Sequence, residues 1–408
     1  MAADNSEFEV VIVGGGAAGI ATAASLHKRE PSLKIAIIEP SGKHYYQPGW
    51  TMVGGGVFDS GQTVRDMASV MPDYVSWIRQ SVTAFEPDTN EVVLADGSRV
   101  KYIFLVVAAG IKLDWDAVEG LSDTLGRNGV TSNYRFDLAP YTWQLVQELR
   151  SGRALFTQPP MPIKCAGAPQ KAMYLSCSEW ERRGVLSDIE VEFHNAGGVL
   201  FGVADYVPAL MEYVARYGIS LDLNERLTAV DGGAKTATFE TENGSKTVDF
   251  DMLHVCPPQT APDFIRSSPL AGEGGWVEVD QETLRHKRFD NIFALGDCCS
   301  APNAKTAAAA RKQAPIVATN LLAAILEKPL PSKYDGYGSC PLTVERGKIV
   351  LAEFGYRGKL LPSFPDWALD GRKPTRRAWV LKADILPKIY WEAMLKGREW
   401  LVKPGKLG

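Results

Sequence analysis

At 408 residues the chain exceeds the roughly 250–300 residues at which single hydrophobic cores stop growing, so more than one domain is expected. A composition of 45% hydrophobic and 23% charged residues excludes disordered and fibrous classes. The net charge of -4 argues against a nucleic-acid partner and conceals an asymmetry: residues 371–408 hold ten Lys/Arg and three Asp/Glu, a balance of +7, which leaves -11 for the rest.

No run of about 20 apolar residues exists, so no helix is expected to span a bilayer. The start, Met1-Ala2-Ala3-Asp4-Asn5-Ser6-Glu7, shows neither the basic and apolar regions of a signal peptide nor an Arg-rich transit segment. The six cysteines (Cys165, Cys177, Cys256, Cys298, Cys299 and Cys340) show no zinc-type pairing, so no metal is expected. They suit a reducing compartment with one or two redox-active thiols better than a disulfide scaffold.

Residues 8–13 form an apolar, β-branched run of strand length, followed by Gly14-Gly15-Gly16-Ala17-Ala18-Gly19 and an alanine-rich helix to about residue 28. A second apolar strand over 33–38 ends in Glu39. This is a dinucleotide fingerprint in the context that gives it meaning. Gly14 permits the tight turn, Gly16 lets the backbone approach a pyrophosphate, and Gly19 lets the helix sit close to the sheet. The free N–H groups around Ala17 and Ala18 face the phosphates, and Glu39 accepts from the adenosine ribose. A glycine turn with no ligand leaves Glu39 unexplained.

The strand over 105–110 ends at Ala109-Gly110 in the manner of the A-T-G motif of two-dinucleotide-domain flavoproteins. A strand over 153–157, a helix over 171–183 and a strand over 189–194 then form a second βαβ unit. Its first turn carries Pro159, Pro160 and Pro162, which remove N–H donors, and lacks the glycine spacing of a nicotinamide site. The next strand runs into His194-Asn195-Ala196 with no acid for a ribose, so NAD(P)H is not expected to bring or remove electrons. In the glycine loop's place stands Cys165, beside Lys164 and before a helix that Pro169 begins. A thiol near a helix N-terminus and a lysine has a lowered pKa; the plain alternative is a small buried hydrophobe.

Residues 291–297, ending in Gly296-Asp297, resemble the second FAD signature of the same flavoprotein superfamily. That resemblance implies that Asp297 accepts from the ribityl chain, that the following helix aims its N-terminus at the flavin, and that the backbone near Val82 meets the adenine. A site built from segments near 14, 110 and 297 takes FAD, held non-covalently. A simple helix N-cap is the alternative for Asp297.

Past residues 363–366 come two helical segments separated by Pro387. In the second, Lys388, Glu392, Lys396, Glu399 and Lys403 share a stripe, and Tyr390, Trp391, Met394, Leu395, Leu401 and Val402 occupy the remainder. Such a basic, aromatic amphipathic helix suits the headgroup layer of an anionic membrane. The alternative is an ordinary helix packed on the body.

Several further stretches carry a specific resemblance: His44-Tyr45-Tyr46-Gln47-Pro48-Gly49-Trp50-Thr51, residues 161–171 around Cys165, and Gly296-Asp297-Cys298. To these add Lys305-Thr306-Ala307-Ala308-Ala309, residues 334–342 around Cys340, and Leu351-Ala352-Glu353-Phe354. From Val10 to about Lys396 the chain resembles the sulfide:quinone oxidoreductase family, in the branch that includes the mitochondrial enzymes. No cysteine stands in 111–119, where many bacterial members carry a third, which favours a two-cysteine branch.

The resemblance implies an α/β fold of two Rossmann-like, glutathione-reductase-type three-layer domains with a C-terminal amphipathic membrane-binding segment. The FAD domain comprises 1–115 and 285–330, the second Rossmann-like domain 116–284 carries Cys165, and the segment 331–408 carries Cys340. It further implies a redox disulfide between Cys165 and Cys340 beside the flavin. Hydrogen sulfide attacks the Cys340 sulfur and leaves a persulfide, and the released Cys165 thiolate adds to the flavin and passes on two electrons. A small sulfur acceptor (glutathione, sulfite or sulfide) carries off the sulfane sulfur, and reduced FAD passes its electrons to a membrane quinone.

On the same grounds Gln47 and Pro48, with His44 a further candidate, line the FAD cleft. Lys305, beside Thr306, stabilises the reduced flavin unless it is a solvated helix lysine. Phe354, Tyr356, Tyr390 and Trp391 are candidates for a quinone channel. Cys177, Cys256, Cys298 and Cys299 look incidental, with Cys298 on the FAD helix and packed below it. The expected seat is a bacterial cytoplasmic membrane, peripherally bound, and a homo-oligomer stays open. Three rivals remain: the flavin subunit of a flavocytochrome c sulfide dehydrogenase, which is normally exported, a non-catalytic FAD protein that signals redox state, and an NAD(P)H:quinone reductase, which rapid bleaching by NADH would favour.

Overall fold

Val10-Val11-Ile12-Val13, Ile35-Ala36-Ile37-Ile38 and Leu105-Val106-Val107 are buried without a break, the pattern of parallel strands covered on both faces. In the computed structural model, which describes residues 7–402 and 404–406, they form the centre of the first sheet. From one edge its strands run Ser76–Ile78, Ile35–Ile38, Glu7–Val13 and Arg99–Val107, all parallel. Arg99–Val107 is long enough to serve two partners. Its first half pairs antiparallel with Glu91–Leu94, and its second half pairs parallel with Ile292–Ala294. Helices Ala17–Arg29 and Ala307–Ile325 pack against each other, which brings the glycine turn and the late Gly296-Asp297 turn to the same end of the sheet.

The second sheet is wholly parallel, in the order Val130–Thr131, Met252–His254, Gly152–Gln158, Ile189–Asn195 and Ser220–Leu223. Helix Ala168–Arg183 covers it, with Met173, Tyr174, Cys177 and Trp180 in its core. On strand Ile189–Asn195, His194 bonds the carboxylates of Glu225 and Glu192, which Lys246 and Arg153 neutralise in turn.

The boundary expected at 285 falls too late. Ala261, Ile265, Leu270, Val277, Val279 and Leu284 already pack in the first core. This stretch is irregular backbone apart from the short helix Asp263–Arg266, so no periodicity marks it in the sequence.

The C-terminal segment spans both domains. Its hairpin, Gly338–Glu345 with Lys348–Phe354, pairs Cys340 with Ala352 and packs Leu342, Val344, Val350 and Ala352 into the second core. The helical segments beyond differ from the sequence reading. Arg376–Val380, a π turn over Leu381–Ile385 and Leu386–Glu392 run on without a break. Pro387 falls inside this run just after the π turn, where it removes one ladder hydrogen bond without ending the helix. The second amphipathic helix ends at Glu392, and its aromatic face is a packing face. Tyr390, Trp391, Met394 and Leu395 are buried in the first core, Tyr390 4.8 Å from the Tyr46 ring and Trp391 under Arg65 at 4.2 Å. Lys403 lies outside the described residues.

Candidate active site

Between the two sheets and the hairpin lies a cavity of about 670 Å³, large among ligand pockets. Gly14 and Gly19 shape its floor from behind. A Cβ on Gly14 (φ 107°) would stand 2.4 Å from the Ala108 carbonyl oxygen, and one on Gly19 1.9 Å from that of Gly14. Around Gly16 a Cβ would meet nothing within 4 Å, so the space at this helix N-terminus is left open. Gly16, Ala17 and Ala18 line it. Glu39 lines it too, its two carboxylate oxygens accepting from the Gly15 and Ser41 N–H groups at 2.8 Å. Ala108 and Gly110 line the wall, while Ala109 packs behind them.

Across the cavity Gly296, Asp297, Thr306, Ala307 and Ala308 form the opposite wall. Asp297 is not a helix cap. It lies in the 3-10 turn Gly296–Cys298, and burial pushes its carboxyl up. The cap of the 19-residue helix Ala307–Ile325 is Thr306, whose hydroxyl accepts from the Ala309 N–H at 3.2 Å. Cys298 therefore belongs to this turn and not to the helix, and burial drives its thiol up to about 12. Val82 is a correction as well. It sits at the start of Val82–Glu86 and lines a separate shallow depression with Lys112 and Phe264.

Trp50, Thr51 and Asn133 belong to the lining, but the Trp50 indole N–H, the Thr51 hydroxyl and the Asn133 amide are buried behind it with no hydrogen-bond partner among the described residues. His254 holds Asn133 in place by accepting its backbone N–H through Nε2 at 2.9 Å; burial drives that imidazole to about 3, so it stays neutral. Two helix N-termini and a ribose-side acid on the cavity wall fit a flavin dinucleotide.

Cys165 and Cys340 are brought together, Sγ to Sγ 3.5 Å. Cys165 lines the cavity from a loop position with φ 49°, just ahead of helix Ala168–Arg183. Cys340, 2% exposed, stands behind it on the hairpin. The lysine expected to act on Cys165 was Lys164; the structure turns that ammonium to the Gln47 side-chain oxygen at 2.7 Å. Lys171, in the first turn of the helix and 2% exposed, takes the role with its Nζ 3.0 Å from Cys165 Sγ.

The hydrogen bond donated by Cys340 holds the Cys165 thiol well below its ordinary value against the cost of burial. Lys171 and Lys382 add to this. The same hydrogen bond, with burial, keeps the proton on Cys340. Burial and repulsion from Lys171 push Lys382 down to about 7, and its Nζ donates to the Pro48 carbonyl at 2.8 Å. Neither Lys171 nor Lys382 was singled out from the sequence. One sits six residues past the cysteine, where the intervening loop hides its direction, and the other is distant in the chain.

Lys305 lines the cavity, yet its ammonium is committed to the Asp297 and Cys299 carbonyls at 2.7 and 3.0 Å and lies 4.1 Å over the Trp276 ring. Its own carbonyl accepts from the Cys165 N–H at 2.8 Å, tying the cysteine loop to the Asp297 turn. The cation beside Gln47 and Asp297 is Lys164, lowered to about 8 by burial. His44 and Tyr390 line the cavity together. Tyr390 donates to Nε2 at 2.7 Å, and Nδ1–H reaches the Gly15 carbonyl at 3.2 Å. Burial drives His44 to about 4, so it is a neutral link.

Of the four quinone candidates only Tyr390 faces the cavity. Trp391 packs behind it, Phe354 lies edge-on to Phe201 at 5.9 Å, and Tyr356 bonds the Gln281 carbonyl and packs on Tyr334. The apolar end is formed by Leu361, Phe364, Leu381, Leu386 and Ile389 instead.

Two dinucleotide-type sheets sharing a cavity with a close thiol pair define a FAD-dependent oxidoreductase. Residues 8–153 and 203–314 match the pyridine nucleotide-disulphide oxidoreductase family. Within that class the chain belongs to the sulfide:quinone oxidoreductase family. It is 43% identical over 97% of its length, and 87% of the relative's, to the mitochondrial sulfide:quinone oxidoreductase of Dictyostelium discoideum. Against the mitochondrial enzyme of that name from Mus musculus it is 38% identical over 96% of its length, again 87% of the relative's. The solved sulfide:quinone oxidoreductase of Aquifex aeolicus shares the fold, with a TM-score of 0.80 at 20% identity, over 97% of this chain and 96% of that one.

Proposed function

We propose that the chain oxidises hydrogen sulfide to sulfane sulfur at the Cys165–Cys340 pair and delivers the electrons through FAD to a membrane quinone. The observation that carries this is the 3.5 Å thiol pair with Lys171 at 3.0 Å, set so that Cys165 and not Cys340 lines the cavity. Bound FAD supplies a two-electron acceptor between the sulfur pair and the quinone.

From the oxidised pair, hydrosulfide attacks the Cys340 sulfur and breaks the S–S bond. Cys340 is left as a persulfide and Cys165 as the leaving thiolate. Lys171 and Lys382 favour that direction because they stabilise charge on Cys165. A second sulfur nucleophile (glutathione, sulfite or sulfide) then takes the outer sulfur from Cys340. Glu39, on the cavity wall, would hold the ribose.

The seat is a membrane surface. Among the described residues no helix is long and apolar enough to cross a bilayer. Helix residues Val380 and Ile385 are exposed while their neighbours Leu381 and Leu386 line the cavity, so one helical run touches both the outside and the apolar end. That arrangement suits entry of a lipid-soluble substrate.

The test is anaerobic. Sulfide is expected to bleach the flavin of the purified protein, and a soluble quinone to restore its colour. Cys165→Ser and Cys340→Ser should each abolish the bleaching. A spectrum unchanged by sulfide but bleached by NADH would overturn the reading.

A further inference from the structure

The hairpin that carries Cys340 has a second face. Cys340 and Ala352 point into the second core, whereas Ser339, Pro341, Leu351 and Glu353 turn the other way and line the cavity beside Leu361 and Phe364. Glu353 is 5% exposed in that apolar neighbourhood and has no ion pair among the described residues. Its Oε1 accepts from the Tyr337 hydroxyl at 2.6 Å and the Ser363 hydroxyl at 2.5 Å, and its Oε2 from the Ser363 N–H at 3.0 Å. Tyr337, Glu353 and Ser363 all line the cavity, Ser363 is in addition exposed to solvent, and its hydroxyl lies 3.3 Å from that of Tyr337. The three make one hydrogen-bonded cluster along the wall, open to solvent at Ser363.

We propose that Ser363, Glu353 and Tyr337 form a proton relay that serves quinone reduction at the apolar end of the cavity. The inference rests on the functional reading above. Converting a quinone to a quinol takes two electrons and two protons. The electrons and one proton come with the reduced cofactor, and the relay brings the other. As the Tyr337 O–H bond breaks toward the quinone oxygen, Tyr337 recovers a proton through Glu353. That proton enters from water at Ser363, and Glu353 ends in the protonation state in which it began.

The experiment separates the two half-reactions. Protein reduced anaerobically with sulfide is mixed with a soluble quinone in H2O and in D2O across a pH series, and the return of flavin colour is followed. Glu353→Gln and Tyr337→Phe should slow recolouring about 100-fold and change both its solvent isotope effect and its pH profile. Bleaching by sulfide should stay within about twofold of the unmodified protein. Ser363→Ala, at an exposed position, serves if either variant fails to hold FAD, and should slow recolouring in the same sense. Recolouring at the unmodified rate, or slowed with isotope effect and pH profile unchanged, overturns the relay and leaves the functional reading standing. Unmodified protein that quinone cannot recolour overturns both.

Discussion

At Gly167 a methyl group would stand 2.5 Å from Cys340 Sγ and 2.3 Å from a Leu342 methyl, closer than real contacts allow. The backbone there has φ −87°, which alanine adopts freely, so the demand for glycine is purely one of space. Gly167→Ala should therefore push the hairpin off the cysteine loop, at about 1–3 kcal/mol in stability, and part the two thiols. FAD content should hold, bleaching by sulfide should vanish, and titration after mild oxidation should find two more free thiols than in the unmodified protein.

Lys171 makes a second prediction at this scale. Part of what holds the Cys165 thiol below its ordinary pKa is the neighbouring cation, so removing that cation must raise the inflection and slow alkylation. Lys171→Met should shift the pH profile of iodoacetamide alkylation at reduced Cys165 upward, and Cys340→Ala should shift it further because its hydrogen bond is the leading cause. Lys171→Arg keeps the charge and should restore most of the rate. The glycine fingerprint was legible because its spacing is local, and Cys165 because it stands in place of a glycine loop, whereas Cys340, 175 residues on, was reached only through the family resemblance. The lysine was misassigned because adjacency along a loop says little about where a side chain turns.

The C-terminal elements teach the same lesson at the scale of a helix. An apolar stripe at helical spacing is written identically whether it meets lipid or a core, and sequence alone favoured lipid for Tyr390, Trp391, Met394 and Leu395. The structure packs all four on the first domain and clamps the chain beyond them with charge. Glu399 accepts from both nitrogens of the Arg29 guanidinium, at 2.6 and 3.0 Å, and from the Ser25 hydroxyl at 2.6 Å. With these groups mostly buried, Glu399→Gln should lower stability by about 1–3 kcal/mol, read as a lower urea midpoint with unchanged slope. A midpoint that did not move would mean the strap is held by its apolar contacts alone. The parallel strands Glu7–Val13, Ile35–Ile38, Gly152–Gln158 and Ile189–Asn195, by contrast, were legible within two residues, since continuous β-branched runs between turn residues have few other uses, whereas the short Ser76–Ile78, Val130–Thr131, Ser220–Leu223 and Met252–His254 were not.

At the scale of the whole molecule, the surface left for a membrane is smaller than the amphipathic pattern of the tail implies. Trp367 is 86% exposed, and Val380 and Ile385 are nearly half exposed, beside Arg372, Lys373, Arg376 and Arg377. Arg372 is partly spent on Asp366 and Asp370, and Lys373 also pairs with Asp370, so the attraction rests mainly on Arg376 and Arg377. Cations near an anionic leaflet contribute about 1 kcal/mol each and are screened by salt, whereas apolar insertion is not. The chain should therefore sediment with vesicles containing anionic lipid, more weakly with zwitterionic ones, and should release in part as salt rises. Ile385→Asp or Trp367→Asp should weaken binding about tenfold or more at any salt, since each replaces apolar burial with a charge at the surface. Arg376→Glu with Arg377→Glu should remove the salt dependence instead. None of these changes touches the cavity wall, so turnover with a soluble quinone should persist while turnover with a long-chain quinone held in vesicles falls with binding. Vesicle binding untouched by all of these substitutions would move the membrane face elsewhere on the molecule and separate the basic tail from the quinone's route of entry.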